Sequence, residues 1–377
     1  MKKKICFAAT VPTSINVFWR NQIILCKSLF DITIASASKN KSHLKDLNVR
    51  YKNIKIYRNP NILFDLLLLI NSYRYLKKQK FHILHTQTPK AGFIFHLAGW
   101  FARVTIRIHT FTGQIWVNKK GVTRFFLKLF DKLIYSLSTH IIIDSHAQRK
   151  FLISENMINK KKGVVFGNGS ISGVDMKKFN TRLNIKNLRE KYGLPKNDLV
   201  ILYLGRLNPE KGIMDLIKAF NTLKKKHEHL SLVFVGSEDG IKVSDIKANI
   251  ENKFKKNFYY FKYTKSPNHF MRLSDILCIP SYREGFAQVV VEAAGCGTPS
   301  VVSNIYGLKD TIINNKTGFF FKPKDVNDLY RKLKKLIVNK NLRSKMSNKS
   351  IQRVKNQFSS KIIDSELKNF YIKLSNI

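Results

Sequence analysis

The segment LVILYLGRLNPEKGIMDLIKAF, residues 199–220, contains the structural unit that the rest of the chain repeats. Leu199–Leu204 is a short apolar run of strand length, and Gly205–Gly212 is a polar loop. Ile213–Phe220 then places apolar residues at helical spacing. A strand, a loop and a helix in this order predict a βαβ unit and a parallel sheet.

The same alternation extends in both directions along the chain. The first half contains predicted strands at Ile5–Ala9, Ile32–Ser36, Ile54–Tyr57, His82–His85, Thr105–His109 and His140–Asp144. The second half contains them at Leu199–Leu204, Leu232–Val235, Phe258–Phe261, Ile276–Ile279 and Ser300–Val302. The periodicity stops at Gly167–Gly173, where glycine and serine indicate a hinge.

We therefore predict an α/β fold of two doubly wound, Rossmann-like domains that face a central cleft. The expected boundaries are residues 1–180 and 181–355. A C-terminal helix at residues 356–377 is expected to cross back to the first domain. The length of 377 residues agrees with two domains of ordinary size.

Composition restricts the partners and the compartment. The net charge of +44 favours anionic partners such as nucleic acid, an anionic membrane surface or a phosphorylated substrate. A general bias toward Lys, Asn and Ile would explain the same charge. The four cysteines lie far apart, which indicates reduced thiols in the cytosol. Because no signal peptide or membrane-spanning stretch is recognisable, we expect a protein that does not cross the membrane.

The segment with the most candidate functional residues is PSYREGFAQVVVEA, residues 280–293, which follows a predicted strand. A helix is expected to begin near Phe286, so that nearby backbone amides point at the carboxyl edge of the sheet. Glu284 and Glu292 then fall on nearly the same helix face, with Glu292 about two turns into the helix. Spacing alone also fits a capping carboxylate and an exposed helix residue.

Two other features lie at predicted strand ends. In the loop GRLNPEKG, residues 205–212, Arg206 and Lys211 can converge on one oxyanion, although a basic loop is often merely solvated. His109 ends the strand Thr105–His109, where it has either a catalytic or a structural role.

These motifs resemble family 4 glycosyltransferases. Glu284…Glu292 resembles the E-x7-E signature, and GRLNPEKG resembles the G-R-x4-K-G pattern. The resemblance implies a GT-B fold and a retaining sugar transfer, with His109 and Glu284 at the catalytic centre. It implies contacts of Glu284 with the donor sugar, of Glu292 with the ribose, and of Arg206 and Lys211 with the leaving diphosphate. The implied donor-binding residues are Arg206, Lys211, Gly285, Phe286, Ala287 and Glu292.

HTQTPKAG, residues 85–92, resembles a loop of bacterial polysaccharide-assembly members of the family. The first strand–helix loop, TVPTS at residues 10–14, departs from the family because it lacks the usual glycines. Hydroxyl groups of Thr13 or Ser14 would then replace backbone contacts, or the loop would face the acceptor. We therefore expect an acceptor or phosphate loop that involves Thr13, Ser14, His85 and Lys90, although His85 also fits a structural strand end.

The resemblance also implies the substrates. We expect transfer of a hexose or N-acetylhexosamine, from a UDP-linked donor, to a lipid-diphosphate-linked saccharide in capsule, O-antigen or N-glycan assembly. The enzyme would work at the inner face of the cytoplasmic membrane. The chain contains no Asp-x-Asp sequence, so we expect no metal and no cofactor, with fixed cations and amides stabilising the diphosphate.

Two other functions compete with sugar transfer. A nucleotide-sugar epimerase shares the two-domain fold. A nucleic-acid-binding protein would explain the charge, but zinc-finger spacing and aromatic RNA-binding motifs are missing, so no nucleic-acid partner is expected.

The segment Val122–Leu137 predicts a helix with one apolar and one basic stripe. Phe125, Phe126, Leu129 and Phe130 belong to the apolar stripe. We interpret it as a core helix with a solvated basic face. A helix lying on an anionic membrane leaflet, with its lysines at phosphate level, is the alternative.

Overall fold

The computed structural model describes residues 2–37, 45–57 and 61–376, without the side chains of Thr13, Asn16, Val17 and Lys45. The chain divides into two compact units. The first unit comprises Met1–Gly173 and Lys361–Ile377, and the second comprises Val174–Ser360. The last helix of the chain therefore belongs to the first unit.

Each unit is built on a parallel sheet, six-stranded in the described residues. The first sheet contains β1 (Lys3–Ala9), β2 (Phe30–Ser36), β3 (Arg50–Asn53), β4 (Ile83–Thr86), β5 (Ile106–Phe111) and β6 (His140–Ile143). The second contains β7 (Leu199–Leu204), β8 (Leu230–Val235), β9 (Phe258–Phe261), β10 (Ile276–Ile279), β11 (Ser300–Ser303) and β12 (Gly318–Phe321).

The strand orders are β3-β2-β1-β4-β5-β6 and β12-β11-β10-β7-β8-β9. Both orders reverse beside the first strand of the unit, between β1 and β4 and between β7 and β10. In doubly wound sheets, ligands bind outside the carboxyl ends of the strands at this reversal. The topology therefore selects the loops after β1, β4, β7 and β10 as the place to look for a site.

Helices connect the strands and cover both faces of each sheet. They are α1 (Pro12–Ser14), α2 (Arg20–Cys26), α3 (Ile62–Gln79), α4 (Pro89–Phe101), α5 (Gly121–Leu137), α6 (His146–Ser154), α7 (Ile185–Lys191), α8 (Ile213–Lys224), α9 (Val243–Ala248), α10 (Pro267–Leu273), α11 (Gln288–Gly295), α12 (Tyr306–Lys309), α13 (Val326–Val338), α14 (Lys340–Arg353) and α15 (Ser360–Ser375). Several begin with a side-chain cap; Asn61 accepts the Phe64 amide at the start of α3, for example.

The core of the first unit explains why α15 returns to it. Ile363, Leu367, Tyr371 and Leu374 recur at helical spacing and are buried among the apolar side chains of β1 and β2. Since β1 and β2 come from the opposite end of the chain, this helix closes the apolar core of the first unit.

One edge strand was placed wrongly from the sequence, and another was not identified. β3 lies at Arg50–Asn53 rather than at Ile54–Tyr57, and β12 at Gly318–Phe321 was not predicted. An edge strand pairs on one side only, so β3 carries mostly exposed polar residues and lacks the apolar run used for recognition. Ile54 and Ile56 are buried in the core without being part of the strand.

The interpretation of α5 as a core helix with a solvated basic face is wrong. The helix forms at Gly121–Leu137, but Phe125 and Phe126 are 65% and 50% exposed, whereas Asp131 and Ile134 are buried. Sequence periodicity identifies an apolar stripe without showing which way it faces. In the part of the chain that the structure describes, no helix has the length and apolar character needed to span a bilayer.

The packing of α15 leads to a test. Leu367→Ala should lower the free energy of unfolding of the first unit by about 2–5 kcal/mol, because it leaves a cavity in the core. Lys368→Ala, an exposed change on the same helix, is the matched control. Denaturant unfolding followed by tryptophan fluorescence reports on this unit, since Trp19, Trp100 and Trp116 all lie in it. Equal stability of the two variants would contradict the assigned packing.

Candidate active site

The loops after β7 and β10 touch at a position where only glycine fits. Gly212 has φ +62°, and a Cβ there would lie 2.0 Å from the carbonyl oxygen of Pro280. The Tyr282 amide donates a hydrogen bond of 2.8 Å to the Glu210 carbonyl. The two loops flanking the strand-order reversal are thus held as one surface.

This contact brings Lys211 to Glu284. The Lys211 Nζ lies 2.6 Å from Glu284 Oε1, and Ser281 Oγ donates to the same oxygen over 2.7 Å. The side chains of Lys211 and Glu284 are 21% and 14% exposed. Each member of the pair therefore offsets part of the cost of removing the other from water at the sheet edge.

Arg206 has a different partner. Its guanidinium lies 2.5 Å from Asp239 Oδ2, which also accepts from the Asn208 side chain over 3.1 Å. The Arg206 side chain is 56% exposed. The structure therefore brings Lys211, but not Arg206, to Glu284, and it does not show the two cations converging on one point.

The start of α11 offers free amides beside this pair. The helix begins at Gln288, two residues later than expected, and the Gln288 amide donates to the Phe286 carbonyl. Within residues 2–37, 45–57 and 61–376, the amides of Gly285, Phe286 and Ala287 donate no hydrogen bond. Unpaired amides beside the positive end of a helix dipole favour an anion.

Glu284 itself is held by a second close backbone approach. A Cβ on Gly307 would lie 2.2 Å from the Glu284 carbonyl oxygen, so α12 packs directly against this loop. This contact fixes the backbone from which the carboxylate projects.

Glu292 lies one turn into α11, not two, because the helix starts later than expected. Burial raises the pKa of its carboxyl to about 7, and a hydrogen bond from Gln288 opposes that rise. Its carboxyl is therefore a mixture of neutral and ionised forms near neutral pH.

Several residues that support the two loops were not recognised in the sequence. Arg283 forms an ion pair with Glu210 across the loops, and Tyr282 donates a 2.7 Å hydrogen bond to Asp215 on α8. The signal was present, since Arg283 adjoins Glu284, Tyr282 precedes it by two residues, and Glu210 adjoins Lys211. Only the tertiary contact shows that these neighbours are partners.

In the first unit, His109 lies inside β5 rather than at its end, which the structure places at Phe111. The imidazole is 1% exposed, and its Nδ1 forms a 2.7 Å hydrogen bond with Thr86 Oγ1. Burial lowers its pKa well below the ordinary range, so the ring is neutral at physiological pH. A Cβ on Gly92 would lie 2.6 Å from His109 Cε1, which makes glycine necessary there.

His85 and Lys90 have partners within the first unit. His85 is completely buried, with Nδ1 2.6 Å from the Tyr371 hydroxyl and Nε2 2.7 Å from Thr110 Oγ1. Both ring nitrogens are used, which favours the structural alternative over contact with a ligand. Lys90 Nζ lies 2.7 Å from Asp65 Oδ1.

The glycine-free loop after β1 is pinned to the loop after β4. The Thr10 amide and hydroxyl lie 2.9 Å and 2.7 Å from Thr88 Oγ1. Thr13 and Ser14 lie in the short helix α1, where the Ser14 amide donates to Val11. The Thr13 side chain is outside the described residues.

Gln87 is a residue that the sequence did not single out as a ligand. It directly follows β4 at the strand-order reversal and is 2% exposed. Neither polar atom of its side-chain amide has a partner in the described residues. Since buried amides are normally hydrogen-bonded, Gln87 is a candidate ligand contact.

Two family models match the chain. Glycosyltransferase Family 4 matches residues 25–170, and Glycosyl transferases group 1 matches residues 184–353. One model thus falls in each unit. The second match includes the Lys211–Glu284 pair and Glu292.

Full-length relatives agree with these matches. The capsular polysaccharide biosynthesis glycosyltransferase CapM of Staphylococcus aureus is 32% identical over 374 residues, which cover 98% of this chain and 97% of CapM. The UDP-Gal:alpha-D-GlcNAc-diphosphoundecaprenol alpha-1,3-galactosyltransferase of Escherichia coli is 27% identical over 323 residues, covering 81% of this chain and 82% of that enzyme.

Solved structures show the same architecture. HepE of Anabaena in complex with UDP has a TM-score of 0.80 at 18% identity, covering 98% of this chain and 100% of HepE. A glycosyltransferase from Rickettsia africae has a TM-score of 0.79 at 21% identity, covering 99% of both chains. The predicted GT-B fold is confirmed by these likenesses and by the two doubly wound sheets. The match to CapM and the two family models establish that this chain belongs to the family 4 glycosyltransferases and is a sugar-transferring enzyme of polysaccharide biosynthesis.

Proposed function

We propose that the enzyme transfers a hexose or N-acetylhexosamine, with retention, from a UDP-sugar to a hydroxyl of a lipid-diphosphate-linked saccharide. The name of the E. coli relative specifies a UDP-linked donor and a diphosphoundecaprenol acceptor. Structures of HepE contain UDP and UDP-glucose. Because the named relatives are transferases, an epimerase of the same fold is not favoured.

The observation that carries this proposal is the Lys211–Glu284 pair beside the free amides of Gly285–Ala287. In the proposed complex, these amides and Lys211 contact the donor diphosphate, and Arg206 reaches it by leaving Asp239. Arg206 is sufficiently exposed to move in this way. Glu284 then accepts hydrogen bonds from the donor sugar hydroxyls, as its family motif implies.

We assign acceptor binding to residues 1–180, nucleotide-sugar binding to residues 181–355, and a packing role to residues 356–377. In the first domain, neutral His109 would lie near the donor sugar and stabilise developing positive charge through its ring orientation and backbone. Thr13, Ser14 and Lys90 are the proposed contacts for the acceptor or phosphate, with Gln87 added from the structure.

The proposed reaction is a front-face substitution. The bond between the anomeric carbon and the β-phosphate oxygen breaks, and a bond to the acceptor oxygen forms on the same face. The acceptor hydroxyl gives its proton to the leaving phosphate oxygen. This route needs no carboxylate nucleophile, unlike a retaining glycosidase, which uses two close carboxylates.

The lipid-linked acceptor would place the enzyme at the inner face of the cytoplasmic membrane, bound peripherally. No metal is required in this proposal, because Lys211, Arg206 and the helix-terminal amides supply the positive potential for the leaving diphosphate.

The proposed ribose contact, Glu292, gives a pH test. Its folded pKa of about 7 lies above the ordinary 4.5, so the native state keeps a proton that the unfolded chain releases. The free energy of unfolding should therefore fall as pH rises through this interval, by up to about 3 kcal/mol, and then level off. Glu292→Gln should reduce this decline by the share that Glu292 contributes and leave the share of other buried carboxyls such as Asp131, whereas exposed Glu190→Gln should preserve the whole decline. Denaturation followed by circular dichroism measures both, and parallel curves for wild type and Glu292→Gln would refute the shift.

The central pair gives a test by substitution. Lys211→Ala and Glu284→Gln should each reduce kcat by roughly 100- to 1000-fold, because each removes a contact to the transferring group or its leaving diphosphate. The double variant should lose little more than either single one, since the two act together. Lys218→Ala, an exposed lysine on α8, is the matched control. Wild-type turnover by either single variant, with folding intact, would remove the site assignment.

The reaction itself is tested by incubating the protein with UDP-sugars and lipid-diphosphate saccharides in EDTA. The mass of the acceptor should increase by one sugar, and the rate of transfer should be the same with and without EDTA. The anomeric signals in the NMR spectrum of the product should match the donor configuration. Loss of activity in EDTA that Mg²⁺ restores would contradict metal independence. An inverted product would contradict retention, and conversion of the donor without acceptor would indicate an epimerase.

A further inference from the structure

Three helices of the first unit form one side-by-side layer. α4 packs between α3 and α5. An ion pair between Lys90 and Asp65 joins α4 to α3. Between α4 and α5, the ring centroids of Phe93 and Phe130 lie 5.1 Å apart. The outer sides of these helices therefore belong to one continuous surface.

Large apolar side chains cover much of this surface. We define the three-helix face by the exposed members: Ile62, Leu63, Phe64, Leu66, Leu67 and Ile70 on α3, Trp100 and Phe101 on α4, and Val122, Phe125, Phe126, Leu129, Phe130 and Leu133 on α5. Ile62 is 90% exposed and Val122 is 71% exposed. Soluble proteins rarely expose an apolar patch of this extent unless something binds there.

The orientation of α5 is fixed by polar groups on its inner side. Trp116 Nε1 donates a 2.7 Å hydrogen bond to buried Asp131, and burial raises the pKa of that carboxyl to about 7. Arg124 and Lys128 both pair with Glu155 and lie over the Trp116 ring. Turning the helix to bury its phenylalanines would break these contacts, so the apolar stripe stays outside.

Basic side chains border the face. Lys119 and Lys120 immediately precede α5, Lys132 lies within it, and Arg103 follows α4; all four are exposed. Aromatic residues next to lysines are typical of proteins that rest in the headgroup region of a membrane.

We propose that the three-helix face inserts into the surface of an anionic lipid bilayer, with Phe125 and Phe126 among the acyl chains and the bordering lysines at phosphate level. A second copy of the chain is a poor occupant, because two molecules with a net charge of +44 each repel one another. An anionic bilayer instead gains from both the apolar and the basic residues. This inference identifies the surface by which the enzyme would bind the membrane. It rests on the proposed function only for the biological purpose of that binding.

Binding to vesicles without donor or acceptor tests the surface directly. Vesicles of phosphatidylcholine with phosphatidylglycerol should sediment the wild-type protein, and phosphatidylcholine alone should sediment much less. Phe125→Ser and Phe126→Ser should each weaken binding about tenfold, since each removes a large apolar side chain from the lipid. Both residues are exposed, so thermal stability should not change. Tyr263→Ser and Val338→Ser, exposed apolar changes in the second unit, are the matched controls and should bind like wild type.

The basic border needs its own variants. Lys119→Gln with Lys120→Gln should weaken binding to anionic vesicles by at least tenfold, at about 1 kcal/mol per lysine. Lys255→Gln with Lys256→Gln, two exposed lysines of the second unit, removes the same charge and should have little effect. Equal losses from both pairs would show that only the global charge attracts lipid, and would overturn the assigned surface.

Two further outcomes separate this inference from its alternatives. A dimer in sedimentation analysis that Phe125→Ser dissociates would identify a second copy as the occupant and refute the lipid assignment. Transfer to a short-chain acceptor in detergent-free solution should be unchanged in Phe125→Ser. Failure of the transferase proposal would leave vesicle binding intact, so the two ideas fail separately.

Discussion

The close approach of Gly212 to the Pro280 carbonyl is the contact on which the candidate site depends. It exists because residue 212 has no side chain and adopts a left-handed backbone conformation. With the loops after β7 and β10 held together, Lys211 and Glu284 meet although 73 residues separate them. Both loops flank the reversal of strand order, so the fold places this charged pair where a doubly wound sheet binds its ligand.

Burial then sets the protonation states that the chemistry would use. His109 is neutral because its ring is enclosed, whereas the Glu292 carboxyl titrates near neutral pH. Lys211 and Glu284 form an ion pair in which each offsets part of the cost of removing the other from water.

In the first unit, the cost of leaving buried polar groups without partners determines which side of α5 faces the protein. Polar groups of α5 and its neighbours face inward, where Trp116 donates to Asp131 and Glu155 pairs with Arg124 and Lys128. Apolar side chains consequently remain outside on three adjacent helices. For an enzyme proposed to act on a lipid-linked saccharide, the apolar face and the exposed lysines that border it would both favour an anionic membrane surface.

The sequence by itself determined the parallel sheets, most strands, the return of the last helix and the two loops that carry the family motifs. Apolar runs on strands buried on both faces, and glycines at sharp turns, leave a local signal. Tertiary structure alone decided the rest. The edge strand β3, the partner of Arg206, the burial of both nitrogens of His85 and the unpaired amide of Gln87 carry no local signal. β12 differs, because its apolar run Gly318–Phe321 is a local strand signal that the sequence analysis did not use. The outward face of α5 belongs with the features that lack such a signal, because a periodic pattern shows that a stripe exists, whereas only the neighbouring elements determine whether it meets protein or solvent.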